Sequence, residues 1–148
     1  MSARLGEKLE ALATTLPQHA HCHGIGIDLV EVATVERHMT VAGDRYVQKM
    51  LRSDEITFCA AEPARVASRI AAKEAVAKAL GTGMRSGVRW IDIEIVRAAN
   101  GAPSVRLHAG AAARAASTGV TTIHVSLCHE GGHAAALAMA IATEVPHE

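Results

Sequence analysis

A run of strong helix-forming residues between Ala64 and Leu80 constrains the fold of this chain more than any other feature. Alanine, lysine, arginine and leucine recur throughout the run, and no proline interrupts it. Pro63 suits the first turn of a helix, and Gly81 suits the position just beyond a helix end. The run therefore predicts one long helix of about five turns.

The charges on this helix fall in an unusual place. A helix that serves packing alone carries its cations opposite its apolar stripe, yet Arg69 and Lys73 fall inside the apolar arc. The other members of that arc are Val66, Ile70, Val76, Ala77 and Leu80. Either something anionic lies on the buried side of the helix, or the two stems cover apolar surface while their charged ends stay in water. Glu74 precedes Lys78 by four residues, and the ordinary interpretation of that spacing is a surface ion pair.

A second constraint comes from residues 24–29, where larger apolar residues alternate with glycine or aspartate. Alternation with a period of two predicts a strand that carries Gly24, Gly26 and Asp28 on one side. The other side carries Ile25, Ile27 and Leu29. The glycine side has two interpretations. It leaves room for a ligand or an ion beside the carboxylate, or it lets a helix cross closely while Asp28 caps the strand end.

Four further segments predict strands: residues 89–96, 103–107, 122–129 and 134–142. Asn100-Gly101 is typical of a two-residue hairpin turn between the first two of them. We expect Asp92 and Glu94 to face solvent and leave them out of any site. The expected fold class is α+β, with a mainly antiparallel sheet packed against the long alanine-rich helix.

Histidine occurs in two places that could carry chemistry. His129 ends a predicted strand on its apolar side, where a polar ring lines a cleft or is a core histidine with its hydrogen bonds satisfied. His19, His21 and His23 alternate, so in an extended chain they share a face, which suits either a zinc or copper site or a polar lead-in segment.

Composition excludes several classes of protein. The 15 Lys and Arg residues balance 15 Asp and Glu residues, so no overall field favours nucleic acid or a membrane. Three cysteines without CxxC spacing argue against a disulfide framework and a zinc ribbon, and predict a reducing cytoplasm. Aromatic residues make up only 2% of the chain, so the core must consist of small aliphatic residues, which favours further burial between subunits.

The remaining segments set the domain organisation. Residues 1–20 carry leucines at helical spacing and are expected to form an N-terminal extension with a short amphipathic helix. Residues 21–148 are expected to form a single domain. Within it, residues 33–55 carry a local surplus of cations, which is either a solvated face or a dock for an acidic partner. The cations assigned to that dock are Arg37, Arg45, Lys49 and Arg52.

Three fragments together resemble the holo-acyl-carrier-protein synthase family, the short 4′-phosphopantetheinyl transferases. The fragments are Gly-Ile-Gly-Ile-Asp-Leu-Val-Glu ending at Glu31, Arg69-(x)3-Lys-Glu-Ala-(x)2-Lys-Ala-Leu-Gly-Thr-Gly83, and Ser126-Leu-Cys-His129. The resemblance covers about residues 23–142 and implies the family's fold. It also implies transfer of phosphopantetheine from coenzyme A to a serine of an apo acyl carrier protein, with release of adenosine 3′,5′-bisphosphate.

By the same resemblance, Asp28 and Glu74 would bind Mg²⁺ and, with His129, form the catalytic set. The residues expected along the coenzyme A phosphates and adenosine are Arg69, Lys73, Lys78, Gly81, Gly83 and His129, with glycine N–H groups donating to the anion. The general base stays open between Asp28 and Glu31.

The family forms trimers with the coenzyme site between subunits, and its carrier protein is acidic, so the resemblance assigns carrier binding to the cations of residues 33–55. Where the family usually has an arginine six residues after the strand aspartate, this chain has Thr34, and Arg37 is the nearest replacement. That departure leaves one alternative, a coenzyme A or nucleotide-binding subunit without transferase activity.

Overall fold

The computed structural model of the protein describes residues 20–143. Its strands are β1 (Ala20–Glu31), β2 (Ile93–Arg97), β3 (Pro103–Leu107), β4 (Val120–Glu130) and β5 (His133–Thr143). Its helices are α1 (Val32–Ala42), α2 (Asp44–Met50), α3 (Ser53–Cys59), α4 (Pro63–Ala79) and α5 (Ala109–Ser117). The expected N-terminal helix and the position of His19 lie outside the described residues.

The sheet confirms the expected α+β class. Strands β1, β5 and β4 form one antiparallel sheet in that order, and β2 and β3 form a separate antiparallel hairpin. Asp28, Ala136 and Leu127 lie in one row across the larger sheet. The long helix α4 packs across this sheet and against the hairpin, and most of its alanines are fully buried.

The glycines of β1 mark the place where α4 crosses the strand. A Cβ atom on Gly26 would overlap the carbonyl oxygen of Ala75, and one on Gly24 would overlap that of Ala79. The helix backbone therefore fills the space beside these glycines. Of the two interpretations of this side of β1, the close helix crossing is correct and the open space for a ligand is wrong at Gly24 and Gly26.

The opposite face of the sheet is apolar and uncovered by any residue from 20 to 143. Ile25, Ile27 and Leu29 expose 63%, 67% and 66% of their surface, and Leu137 exposes 47%. Residues of this type pair across β1 and β5, since Ile27 lies opposite Leu137. An exposed apolar face of this kind is a candidate surface for contact with another protein.

The segment expected to form a strand at residues 89–96 begins instead with one 3-10 turn, Trp90–Asp92. The expectation that Asp92 and Glu94 face solvent is wrong, because they expose only 1% and 4% of their surface. Asp92 accepts hydrogen bonds from the backbone N–H and the guanidinium of Arg89. Glu94 Oε2 lies 2.7 Å from His108 Nε2, so both buried carboxylates have polar partners.

Candidate active site

The helix crossing brings a carboxylate and a cation together on the β1 side of α4. Lys78 Nζ donates to Asp28 Oδ1 at 2.9 Å and to the carbonyl oxygen of Ile27 at 2.9 Å. Glu74 lies one turn earlier on the same face of the helix. Asp28 from β1 thus joins Glu74 and Lys78 from α4 in one cluster, called here the carboxylate cluster.

The electrostatics of this cluster suit a bound cation. Burial raises the pKa of Glu74, the Asp28 carboxylate raises it further, and Lys78 opposes both effects. Two carboxylates that repel each other are hard oxygen ligands of the kind that Mg²⁺ prefers, and Mg²⁺ keeps several positions for water or phosphate. Within residues 20–143, no group of three or more His, Cys, Asp or Glu residues could hold a metal. As a pair of carboxylates, Asp28 and Glu74 fit a Mg²⁺ site whose other ligands would be phosphate and water.

The raised pKa of Glu74 predicts how stability depends on pH. A carboxyl whose pKa is higher in the folded chain binds its proton more tightly there, so its stabilising effect is lost as the pH rises upward from the ordinary value of 4.5. We expect the free energy of unfolding to fall over this interval more steeply for the wild type than for Glu74→Gln. Urea denaturation at a series of pH values, without divalent cations, measures the difference. Parallel profiles would contradict the placement of this carboxyl.

Lys73 lies on the other side of α4 and is fully buried. Its ammonium group donates to Glu55 Oε2 at 2.8 Å and to the carbonyl oxygen of Trp90 at 3.1 Å. The anionic group on the buried side of the helix is therefore Glu55. An ammonium bonded in this way is not free to meet a coenzyme phosphate, contrary to the expectation from the motif.

Arg69 lies on the same side of α4, also buried, with 5% of its surface exposed. Its guanidinium lies 4.5 Å from the centre of the Phe58 ring, and those of Arg65 and Arg97 lie 5.7 Å and 5.2 Å from it. Burial lowers the pKa of Arg69, and Arg97 acts in the same direction. Arg65, Arg69, Arg97 and Phe58 are called here the guanidinium cluster.

Arg69 Nε is buried and has no hydrogen-bond partner among residues 20–143. A cavity of about 330 Å³ opens beside Arg69 and is lined also by Phe58 and Arg97. Three acidic residues also line this cavity: Glu55 is bonded to Lys73, Glu94 is bonded to His108, and Asp54 is exposed to solvent. A buried Nε–H without an acceptor carries an unmet desolvation cost, so an anion in this cavity could serve as its partner.

His129 faces α4, as the alternation of its strand predicts. Its Nδ1 lies 3.4 Å from Ser68 Oγ, near the start of the helix, while the residue itself is exposed. Ser68 precedes Glu74 by six residues, which is about 9 Å along the helix axis. Within one chain, His129 therefore lies beside the start of α4 and not beside the carboxylate cluster.

Gly81 and Gly83 close the C-terminal end of α4. Their φ angles are +79° and +58°, values that residues with a Cβ atom rarely adopt. The N–H of Gly81 donates to the carbonyl oxygen of Lys78, and the N–H of Gly83 donates to that of Ala77. Because both N–H groups already donate to carbonyl oxygens of the helix end, they are not free to donate to an anion. A contact between the two glycines and a coenzyme stays a prediction, and it would involve other atoms of these residues.

Comparison with known proteins identifies the family of this chain. The model of the 4′-phosphopantetheinyl transferase superfamily matches residues 24–138. The chain belongs to this superfamily. Curated proteins named holo-[acyl-carrier-protein] synthase are similar to it. That of Alkalilimnicola ehrlichii is 41% identical over 117 residues, which cover 76% of this chain and 91% of the relative. That of Serratia proteamaculans is 43% identical over 116 residues, 76% of this chain and 92% of the relative.

Solved structures of the superfamily share the fold. The holo-[acyl-carrier-protein] synthase of Helicobacter pylori, determined in complex with coenzyme A, matches with a TM-score of 0.72 and 27% identity over 78% of this chain and 98% of its own. The enzyme of Neisseria meningitidis matches with a TM-score of 0.73 and 30% identity over 81% of this chain and 98% of its own. These matches confirm both the resemblance and the fold class expected from the motifs.

The four cations of residues 33–55 that are expected to bind the carrier protein differ in how exposed they are. Arg37, Arg45 and Lys49 are exposed. Arg52 is only partly exposed, because its Nη1 donates to the carbonyl oxygen of Ile91 at 2.8 Å and ties the start of α3 to the segment before β2. Carrier binding through Arg37, Arg45 and Lys49 stays a prediction, whereas the Arg52 side chain has a structural partner.

Thr34, which departs from the usual arginine, links two charged side chains. Thr34 Oγ1 donates to Glu31 Oε2 at 2.8 Å and accepts from Arg37 Nη2 at 3.1 Å. Arg37 is thereby held beside Glu31, the last residue of β1. The arrangement supports the expectation that Arg37 takes over part of the missing arginine's contact.

No sequence pattern indicates a functional role for Phe58, Arg65 or Arg97. Arg65 and Arg69 are four residues apart on α4, and this spacing places the two cations on one face of the helix. Phe58 and Arg97 arrive from α3 and β2, and no local pattern shows that these elements converge.

Proposed function

We propose that this protein transfers 4′-phosphopantetheine from coenzyme A to a serine hydroxyl of an apo acyl carrier protein, in a Mg²⁺-dependent reaction that releases adenosine 3′,5′-bisphosphate. The observation that carries the proposal is the carboxylate cluster of Asp28, Glu74 and Lys78, built where α4 crosses β1. Relatives about 40% identical over most of the chain are named for this activity, which favours the transferase over a coenzyme-binding subunit.

The chemistry requires neutralisation of a pyrophosphate. The serine oxygen attacks the phosphorus that carries pantetheine, the bond from that phosphorus to the bridging oxygen breaks, and the bisphosphate leaves with the electron pair. Asp28 and Glu74 would hold Mg²⁺, which supplies charge neutralisation of the phosphates when bound. Lys78 orients Asp28 through the 2.9 Å bond, and its ammonium group would contact the phosphates of the coenzyme. The serine proton goes to a nearby carboxylate, Asp28 or Glu31.

The coenzyme's other anionic end is assigned to the guanidinium cluster, where Arg69 lacks an acceptor. Arg69 and Lys78 are nine residues apart, so they point about 180° apart around α4. One coenzyme molecule therefore reaches both only if the two clusters come from different chains. His129, Gly81 and Gly83 complete the proposed coenzyme contacts.

We propose, from the resemblance to the family, a homotrimer with the coenzyme site between subunits. The exposed face formed by Ile25, Ile27, Leu29 and Leu137 supplies apolar surface for subunit contact. A threefold assembly allows the carboxylate cluster of each subunit to meet the guanidinium cluster of its neighbour, with every site equivalent.

The proposed place of action is the cytoplasm. Cys22, Cys59 and Cys128 are all free thiols, which suits a reducing compartment. None of the helices described between residues 20 and 143 combines the length and apolar character that crossing a membrane requires.

An intact-mass assay tests the activity. The protein is incubated with coenzyme A, Mg²⁺ and a panel of apo carrier proteins, and the account predicts a phosphopantetheine adduct on at least one of them that disappears with EDTA. Coenzyme binding without an adduct on any carrier would favour the non-transferase alternative.

Carrier docking is expected to depend on charge. Reversing Arg45 and Lys49 to glutamate should raise the KM for an acidic carrier about tenfold, because steering and contact are lost together. The KM for coenzyme A should not change. Glu36→Lys, an exposed change of opposite sign on α1, should lower the carrier KM. Both effects should shrink in high salt. An unchanged carrier KM in the double variant would exclude this surface.

A further inference from the structure

The contact between α4 and β1 is made largely of small residues. Ala75 and Ala79 face Gly26 and Gly24, so the backbones of helix and strand meet almost directly. Such a contact is close but has few protruding side chains, so it restrains rotation of the helix about its axis only weakly. Glu74 must nevertheless point at Asp28 for the two carboxylates to share a cation. On this side Lys78 ties the helix to Asp28 and to the carbonyl oxygen of Ile27, but its side chain is 44% exposed and Asp28 is itself a proposed metal ligand. A second, buried contact is therefore needed to fix the rotation.

A buried ion pair on the opposite side of α4 can fix the rotation of the helix. Lys73 Nζ, fully buried, donates to Glu55 Oε2 and to the carbonyl oxygen of Trp90. Glu55 in turn accepts from the backbone N–H of Arg52 at 2.8 Å and from that of Ile95 at 3.0 Å. One carboxylate thereby ties α4 to the start of α3 and to β2.

We infer that the Glu55–Lys73 pair is a positioning device that fixes the rotation of α4 and so aims Glu74 at Asp28. Lys73 and Glu74 are adjacent on a rigid helix, so any rotation that moves the Lys73 stem moves the Glu74 carboxyl by a comparable arc. Buried ion pairs often add little to stability over apolar replacements but can specify one arrangement. The inference rests on the proposed function, since it concerns the geometry of the proposed metal site.

The matched variant removes both charges together. Lys73→Met with Glu55→Gln leaves no unpaired buried charge. The amide oxygen, in the place of Oε2, can still accept from the N–H of Arg52, whereas the bond from the N–H of Ile95 to Oε1 is lost. Glu55→Gln alone keeps an acceptor for Lys73 and serves as the conservative variant. Ile93→Val, a change in the buried core, serves as the control for a general loss of stability.

The measurement is the binding of Mn²⁺, followed by electron paramagnetic resonance without coenzyme, together with the kinetics of transfer. We expect the double variant to remain folded by circular dichroism and to bind Mn²⁺ at least about tenfold more weakly. Its kcat should fall while its KM for coenzyme A stays within about twofold. Glu55→Gln should lie between it and the wild type, and Ile93→Val should bind Mn²⁺ like the wild type.

Two outcomes would overturn the inference. Unchanged Mn²⁺ affinity in a folded double variant would show that the pair serves stability alone. If the double variant does not fold, Glu55→Gln with wild-type Mn²⁺ affinity and kcat would have the same meaning. A wild type that neither binds Mn²⁺ nor transfers phosphopantetheine would instead defeat the proposed function, and the two failures are therefore distinguishable.

Discussion

Glu74→Ala is expected to lower the rate of phosphopantetheine transfer at least about 100-fold, the effect of removing a group that stabilises charge in a transition state. Glu74 supplies one of the two carboxylates of the proposed metal site, and its pKa is raised by burial and by Asp28. The stopped assay of holo-carrier formation at saturating Mg²⁺ measures the loss.

The same substitution should leave the fold intact. A partly buried carboxyl beside a like charge contributes no net stability at neutral pH, so the Tm of Glu74→Ala should equal or exceed that of the wild type. Thr121→Ala, an exposed change on β4 outside both clusters, is the control and should retain full activity. A near-wild-type transfer rate in Glu74→Ala would remove Glu74 from the metal site.

Gly26→Ala is expected to be the most destabilising single methyl addition in the sheet. The new Cβ would overlap the carbonyl oxygen of Ala75 and crowd the backbone nitrogen of Ala79, and neither atom is the movable end of a side chain. Helix and strand would have to separate along the contact that builds the carboxylate cluster. We expect a loss of about 4 kcal/mol or more in the free energy of unfolding, measured with urea, and a corresponding loss of metal binding.

A glycine in open space provides the control for Gly26→Ala. Gly43 has a φ of +58°, and a Cβ there meets nothing within 4 Å. Gly43→Ala should therefore cost only the backbone strain, about 1–3 kcal/mol. If Gly26→Ala costs no more than Gly43→Ala, the close crossing of α4 over β1 is not the contact described here.

The elements of this fold are largely local in origin, and the sequence predicts them well. Alanine content and the absence of proline predict α4, alternation predicts β1, β4 and β5, and Asn100-Gly101 predicts the hairpin. The strand pattern wrongly predicts that Asp92 and Glu94 face solvent. Their burial depends on Arg89 and His108, and a strand pattern does not reveal these partners.

The site is harder to predict because it depends on which face of α4 meets which element. The apolar arc correctly placed Arg69 and Lys73 on the buried side. It does not show that Lys73 bonds Glu55, or that the guanidinium of Arg69 lies over the ring of Phe58. The pairing of Asp28 with Lys78 likewise follows from the helix crossing, which the sequence left open between two interpretations of the glycines.

The central claim is that the carboxylate cluster of one subunit and the guanidinium cluster of another build one coenzyme site. Coexpressing Glu74→Gln with Arg69→Gln under two different affinity tags, and purifying the mixed oligomers through both tags, tests it directly. Each variant alone should be inactive, whereas mixed oligomers should regain transfer because one interface in each trimer has both residues intact. Mixed oligomers as inactive as the separate variants would contradict the shared site.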